Sequence, residues 1–436
     1  MYRRDFLVRS GQVIGAAALA SAFRTAAAVA KKQSPADAPS WEEVRGNFNL
    51  APGLVHMSGF FLASHPKPVR EAIEMYRREL DANPIEYWFA IDDKATASVA
   101  GAAAHYLGVD PADIALTDST TMGLGLLYSG LKLRPDQEIL TTYHDHYSTE
   151  TALQLRAERT GASIRRIRLY RDDAAKSTDE IVDSVKKGVS PKTRFLCVTW
   201  VHSCSGVKLP LRAIADALQS INSGRDEQDR VLLCVDGVHG LGVDGTELPE
   251  LGCDFFIAGC HKWMFGPRGT GLVYGKPNAW AAATATIPTF DDAAYTMWMN
   301  LRPQAPIPIG AQMSPGGFHS FEHRWALDKA FEFHQTIGKA RVKERIHSLN
   351  RQLKEGLTKM PGVKLYTPME DELSGGIVCF DMPGMQAQRV VDAMRKKNII
   401  ASVTPYKTLY ARLSPGLLNN PAEVDAALAA LREMRS

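Results

Sequence analysis

At 436 residues the chain is long enough for two domains and a sizeable core. With 45% hydrophobic and 23% charged residues it has neither the polarity of a disordered chain nor the composition of a membrane bundle. Its net charge of +3 comes largely from residues 1–30, where Arg3, Arg4, Arg9 and Arg24 face only Asp5, so the rest has no basic excess to suggest nucleic acid.

The first thirty residues read as a targeting segment. Arg3-Arg4-Asp5-Phe6-Leu7 is a twin-arginine pattern, an alanine-rich run follows, and Ala28-Val29-Ala30 offers a small-residue cleavage site. Arg24 interrupts the run, which makes it a poor membrane span, and no stable membrane insertion is expected. An amphipathic N-terminal helix is the other reading of this stretch. The twin-arginine route carries folded proteins, so a bacterial periplasmic protein that loads its cofactor before export is expected, with the twin-arginine translocation machinery as a partner. Cys197, Cys204, Cys234, Cys253, Cys260 and Cys379 lie mostly in apolar runs, and no CxxC spacing points to zinc.

Residues 31–55 read as an extended arm. A helix is predicted from Pro66 to about Leu80, and a second from Asp92 to Leu107. Strands are then predicted at 114–116, 138–142, 163–168, 193–199 and 230–235, alternating with helices at 120–131, 148–160, 178–187 and 211–220. That alternation argues an α/β domain with a mostly parallel sheet. Ligands of such sheets bind beyond the carboxyl ends of the strands. A long helical pattern at 322–357, strands at 363–366 and 376–381, and helices at 386–396 and 421–434 make up a smaller C-terminal part.

The stretches after the strands carry the chemistry. Thr117 to Thr121 opens a helix with hydroxyls and small residues, where N–H groups and the dipole can hold a phosphate, although a plain cap reads the same way. Tyr143-His144-Asp145-His146-Tyr147 puts a ring at the sheet edge, and Asp236 ends the apolar run Val231–Val235. A buried acid there needs a cationic partner. Lys262 stands between the strand-like runs 255–258 and 271–274, followed by the turn-rich loop Gly266-Pro267-Arg268-Gly269-Thr270-Gly271. Burial lowers a lysine pKa, and a neutral amine can condense with an aldehyde. A lysine that merely snorkels to water is the bland alternative. The GxGxxG spelled by Gly240 to Gly245 is discounted, because Pro249 and Gly252 stop any long helix after it. A phosphate nest, a stacking ring, a buried acid and a lysine are together what pyridoxal 5'-phosphate (PLP) requires.

Asp236-Gly237-Val238-His239, Cys260-His261-Lys262-Trp263 with the loop behind it, and Arg412-Leu413-Ser414-Pro415 with Asn420 and Glu423 resemble the class V aminotransferases. These are a branch of the fold-type I PLP enzymes, and residues 41 to 88 look most like the isopenicillin N epimerase-like subgroup. The resemblance implies a large PLP-binding domain (56–305) with a mostly parallel seven-stranded sheet, a smaller α+β domain (306–436), and a homodimer. It implies that Lys262 binds the cofactor as a Schiff base and shuttles the substrate α-proton, while Asp236 pairs with the pyridinium nitrogen. His239 would bond near the ring hydroxyl, Thr120 and Thr121 would hold the phosphate with His261 contributing, and His146 would stack on the ring, with Tyr147 second in line. Ser203 stands where many relatives have asparagine, and Gly259 where desulfurases have a phosphate-binding serine. Arg412 would clamp the substrate carboxylate. His319, Ser320 or His323 would replace a threonine that in many relatives reaches the neighbouring subunit's phosphate.

The implied function is a periplasmic aminotransferase acting on an amino acid or peptide, in the way some exported relatives modify peptide siderophores; epimerase or lyase chemistry stays open. Desulfuration is disfavoured, because no cysteine lies between residues 380 and 436. A metallohydrolase built on His144, His146, His239 and Asp236, or a cofactor-free binding protein, are the alternatives from other classes.

Overall fold

A short strand, β1 (Val55–His56), precedes seven that form one sheet: β2 (Ile114–Thr117), β3 (Glu138–Thr142), β4 (Ser163–Ile167), β5 (Thr193–Thr199), β6 (Leu232–Asp236), β7 (Phe255–Gly259) and β8 (Gly271–Gly275). The computed structural model describes residues 38–171, 176–303 and 306–434. The expected signal segment 1–30, its expected cleavage site and the start of the arm lie outside the described residues. From Trp41 onward the chain forms one compact unit.

The strand order is β2-β8-β7-β6-β5-β3-β4. β3 through β7 pair in parallel, and β8 runs antiparallel to both neighbours. Central strands β3, β6 and β7 are buried at every residue, as helices on both faces require. The edge strand β4 is half exposed and blunted by Arg165 and Arg166. Two apolar clusters sit on the two faces, one around Leu140, Val198 and Phe256, the other around Tyr128, Phe195 and Phe255.

Helix boundaries follow capping chemistry. The helix expected from Asp92 starts at Pro84 instead, with proline in its first turn, and stops at Gly108 in the left-handed region. The pattern at 322–357 is three helices, Phe321–Trp325, Asp328–Ile337 and Lys339–Thr358, the last two separated by Gly338 at φ 94°. Leu327, Ala330 and Phe331 enter the large core, whereas Leu349, Leu353 and Leu357 enter the C-terminal one.

The C-terminal domain holds a four-stranded antiparallel sheet ordered β12-β13-β10-β9, where β9 is Lys364–Leu365, β10 Val378–Asp381, β12 Ser402–Val403 and β13 Ala411–Leu413. The arm is not wholly extended. It contains the helix Trp41–Gly46, and β1 pairs in parallel with β11 (Ile399–Ile400). Asn420 and Glu423 form a capping box on the helix Pro421–Glu433, and Glu423 also pairs with Arg45 at 2.5 Å. Among the described residues no helix is long and apolar enough to cross a membrane.

Candidate active site

The carboxyl ends of β2, β3, β5, β6 and β7 open onto one cleft. Its lining includes Thr120, Thr121, His146, Ser203, Asp236, His239, His261 and Lys262. Arg412 is not in the lining but meets it through Ser203, and Tyr147, His319, Ser320 and His323 are not in the lining either.

Lys262 sits in the turn between β7 and β8. Lys262 O accepts from Phe265 N at 3.0 Å, and Cys260 O accepts from Gly266 N at 2.8 Å. Phe265 adopts φ 56°, costly for a residue with a Cβ. Phe48 edge-on at 4.9 Å and His334 stacked at 5.7 Å hold it, and His334 Nε2 also bonds Trp263 O at 2.9 Å. The lysine is thus fixed by strained backbone with buried support. Its amine lies 3.3 Å from His239 Nε2. Burial pushes the Lys262 pKa down to about 8, with Asp236 opposing and Arg412 assisting.

Asp236 is the last residue of β6 and only 2% exposed. One oxygen accepts from Val238 N at 3.2 Å, and it makes no ion pair among the described residues. Burial pushes its carboxyl up to about 6. His239 is held well below the usual imidazole range, by burial first and then by Lys262 and Arg412, so its ring is neutral. Thr199 Oγ1, His239 Nδ1 and His261 Nδ1 are buried without a protein partner. A pocket wall with an unpaired carboxylate and orphan polar atoms fits a polar, nitrogen-bearing ring.

At the other end two helix N-termini meet. Ser119 caps the helix Thr120–Gly130 by accepting from Met122 N at 3.1 Å, which leaves both threonines for other work. His146 caps the helix Tyr147–Thr160, and Ser148 Oγ from that helix lies 3.1 Å from Thr121 Oγ1. Two positive helix ends and three hydroxyls make a phosphate cradle. Thr120 Oγ1 accepts from Gly259 N at 2.8 Å, so its own proton is free to be donated. A Cβ on Gly259 would come within 2.9 Å of that oxygen, so a side chain there would need Thr120 to shift. His261 is pushed down to about 4 by burial and by Lys262 and Arg268, and would contribute as a neutral ring.

Tyr147 is 71% exposed and leaves the stacking position to His146, whose pKa burial lowers. Asp145 anchors that turn by accepting from Thr141 Oγ1, Thr142 N, Thr142 Oγ1 and Thr199 N. His144 stacks on Tyr170 at 4.0 Å and accepts from Leu169 N. Among the described residues no group of three or more His, Cys, Asp or Glu could hold a metal, so the metallohydrolase expectation finds no site.

Arg412, on β13, donates to Ser203 O at 3.0 Å, Val403 O at 2.8 Å and Ser402 Oγ at 3.2 Å. One N–H remains on each terminal nitrogen, enough for a bidentate carboxylate. Phe60 packs against its guanidinium at 4.7 Å and against His239 at 5.7 Å. Tyr406 bonds Ser203 Oγ at 2.8 Å and meets His146 edge-on at 6.1 Å. Phe60, Ser148, Thr199 and Tyr406 were not named from sequence. Only Ser148, beside His146 at a helix start, carried a readable signal. His323 Nδ1 lies 2.8 Å from Arg268 O, and His319 Nε2 accepts from Arg324 at 2.7 Å.

A parallel-sheet crevice that gathers a buried lysine, a buried acid and two helix N-termini, with an arginine bonded to its wall, is that of a fold-type I PLP enzyme. Residues 63–404 match the family described as "Aminotransferase class-V", and the chain belongs to it. The isopenicillin N epimerase of Streptomyces clavuligerus is 24% identical, over 79% of this chain and 84% of its own. A probable cysteine desulfurase of Halobacterium salinarum is 25% identical, over 93% and 98%. Among solved structures, a C-DES mutant with glycine covalently linked to its PLP cofactor matches with TM-score 0.78 at 20% identity, covering 90% of this chain and 99% of that one. The apo cysteine desulfurase of Thermococcus onnurineus matches with TM-score 0.75 at 18% identity, covering 93% and 99%.

Proposed function

We propose that this PLP enzyme removes the α-proton of an amino acid, or of an amino-acid moiety in a peptide, and acts as an aminotransferase. The carrying observation is the single cleft that brings Lys262, Asp236 without an ion-pair partner and the phosphate cradle together, with Arg412 bonded to the lining residue Ser203 just behind it. PLP bound there supplies an aldehyde for the lysine amine and an electron sink for the pair left when the C–H bond breaks. Lys262 Nζ holds and moves the proton, with neutral His239 beside it. Asp236 keeps the ring nitrogen protonated, Thr120, Thr121 and Ser148 orient the phosphate, and Arg412 fixes the carboxylate.

Epimerisation is the second reading, favoured by the likeness to isopenicillin N epimerase. Desulfuration is not proposed: in the loop before Arg412 the side chain reaching the cleft wall is Tyr406, and Cys379 is buried with its thiol pushed up to about 12. We place the enzyme in the periplasm on the twin-arginine pattern of Arg3 and Arg4, where a secreted metabolite such as a peptide siderophore is the fitting substrate. A homodimer is supported by Trp298 at 79% and Phe318 at 82% exposure.

The purified protein should show a visible absorption band that borohydride fixes onto Lys262. A colourless protein carrying stoichiometric metal would overturn the reading. Conversion of that band by a panel of amino acids and peptides, with keto-acid formation or chiral inversion as readouts, separates aminotransferase from epimerase.

A further inference from the structure

Ser203 is gripped on two sides. Its backbone oxygen accepts from Arg412 Nη1, and its hydroxyl bonds the Tyr406 phenol at 2.8 Å. Tyr406 projects from the loop between β12 and β13, residues 404–410, which is closed at its base by Thr404. Thr404 N donates to Tyr410 O at 3.0 Å, and Thr404 Oγ1 accepts from Tyr410 N and donates to Thr408 O. The loop is therefore a short strap of the C-terminal domain, and its tyrosine touches His146 and Ser203, two residues of the cleft wall, the second of which also holds Arg412. Tyr406 is not used by any step above.

We propose that Tyr406 is a substrate-positioning residue: its phenolic O–H, turned by Ser203 toward Arg412, is the third donor to the carboxylate that Arg412 receives, and its ring limits what that carboxylate can carry. A tyrosine hydroxyl can accept from Ser203 and still donate once, whereas arginine alone cannot judge what stands beside the carboxylate. Burial pushes the phenol far above its ordinary range, so the donor stays protonated at any working pH. The pairing gives three donors from two chain segments, which fixes the orientation of a planar anion as well as its position.

The inference rests on the reading of the cleft as a PLP site, and its test separates the two. Holoenzyme is mixed with aminooxyacetate, which carries a carboxylate, or with O-methylhydroxylamine, which does not. Each captures the aldehyde, and the loss of the visible band gives its rate. The ratio of the two rates measures carboxylate recognition alone. Tyr406→Phe should lower that ratio about tenfold, the scale of one hydrogen bond to a charged group, with the O-methylhydroxylamine rate unchanged. Ser203→Ala, which frees the phenol without deleting it, should lower the ratio less. An unchanged ratio in Tyr406→Phe overturns the proposal. So does a rise of both rates by a common factor, which would make Tyr406 a steric cover only. If O-methylhydroxylamine leaves the wild-type spectrum unaltered, the PLP reading fails instead.

Discussion

Lys262 Nζ and His239 Nε2 lie 3.3 Å apart, on turns that follow adjacent strands β7 and β6. Phe60 closes the far side of that imidazole and also supports Arg412. The protonation of the lysine is set first by its burial, then by Asp236, which raises its pKa, and by Arg412, which lowers it.

With its pKa pushed down to about 8, Lys262 is mostly ammonium at neutral pH. Only the free amine attacks an aldehyde. Loading of apoenzyme with PLP, followed by visible absorbance, is expected to speed up about tenfold per pH unit below 8 and to level off above it. A midpoint near that of ordinary lysine would contradict the burial argument. Asp236 is the group that raises the Lys262 pKa, so Asp236→Asn should move the midpoint lower still.

Asp236 should also show a cost to stability. Burial raises its folded pKa to about 6 from an ordinary 3.8. Between those values the folded state holds a proton that the unfolded chain has lost, so stability falls as pH rises through them. Above about 6 the penalty is complete, about 3 kcal/mol at about 1.4 kcal/mol per unit. Apo Asp236→Asn is expected to melt a few degrees higher than apo wild type at pH 8, and no higher near pH 4. The same variant should lose PLP on dialysis. A lower melting temperature at pH 8 would show that Asp236 is already neutralised by a partner.

The large sheet was readable because its strands are apolar runs of four to seven residues, long enough to show a pattern. Topology then pointed to the stretches at the carboxyl ends of β2, β3, β5, β6 and β7, and the family resemblance singled out Thr120, His146, Ser203, Asp236 and Lys262 within them. Strands β11, β12 and β13 are two or three residues long and carry no periodicity, so the C-terminal sheet was only half read. Tyr406 was missed for the same reason: its loop is placed by those strands. Gly338 inside the pattern 322–357 was a visible break that helical periodicity on either side concealed.

Gly259 makes a sharper test of the phosphate cradle. A Cβ there would meet Thr120 Oγ1 at 2.9 Å and Thr120 N at 3.1 Å. Gly259→Ser should therefore weaken PLP binding by about tenfold or more, although desulfurases carry serine at this place. Affinity for pyridoxal, which lacks the phosphate, should be unaffected. A single variant that binds PLP as well as wild type would place the phosphate elsewhere.

Asp145 supports two residues of the cleft, His146 next to it in sequence and Thr199 by a hydrogen bond. Its carboxylate accepts four hydrogen bonds, two of them from the backbone of β3 and β5, and so ties the ends of those strands together. An asparagine keeps the shape but turns one oxygen into a donor facing N–H and O–H groups that also donate. Asp145→Asn is expected to destabilise the fold by about 2–4 kcal/mol, since buried donors lose a charged acceptor. The turn carrying His146 and the start of the helix Tyr147–Thr160 would loosen with it, so PLP affinity should fall in parallel. Urea unfolding of apoenzyme measures the first effect and absorbance titration the second. His146→Phe separates them: it keeps a ring for stacking and leaves the Asp145 bonds intact, so it should cost only the helix cap on Ser148 N, about 1 kcal/mol. Stability unchanged in Asp145→Asn would mean that the four bonds are replaceable by water, which burial at 7% exposure argues against.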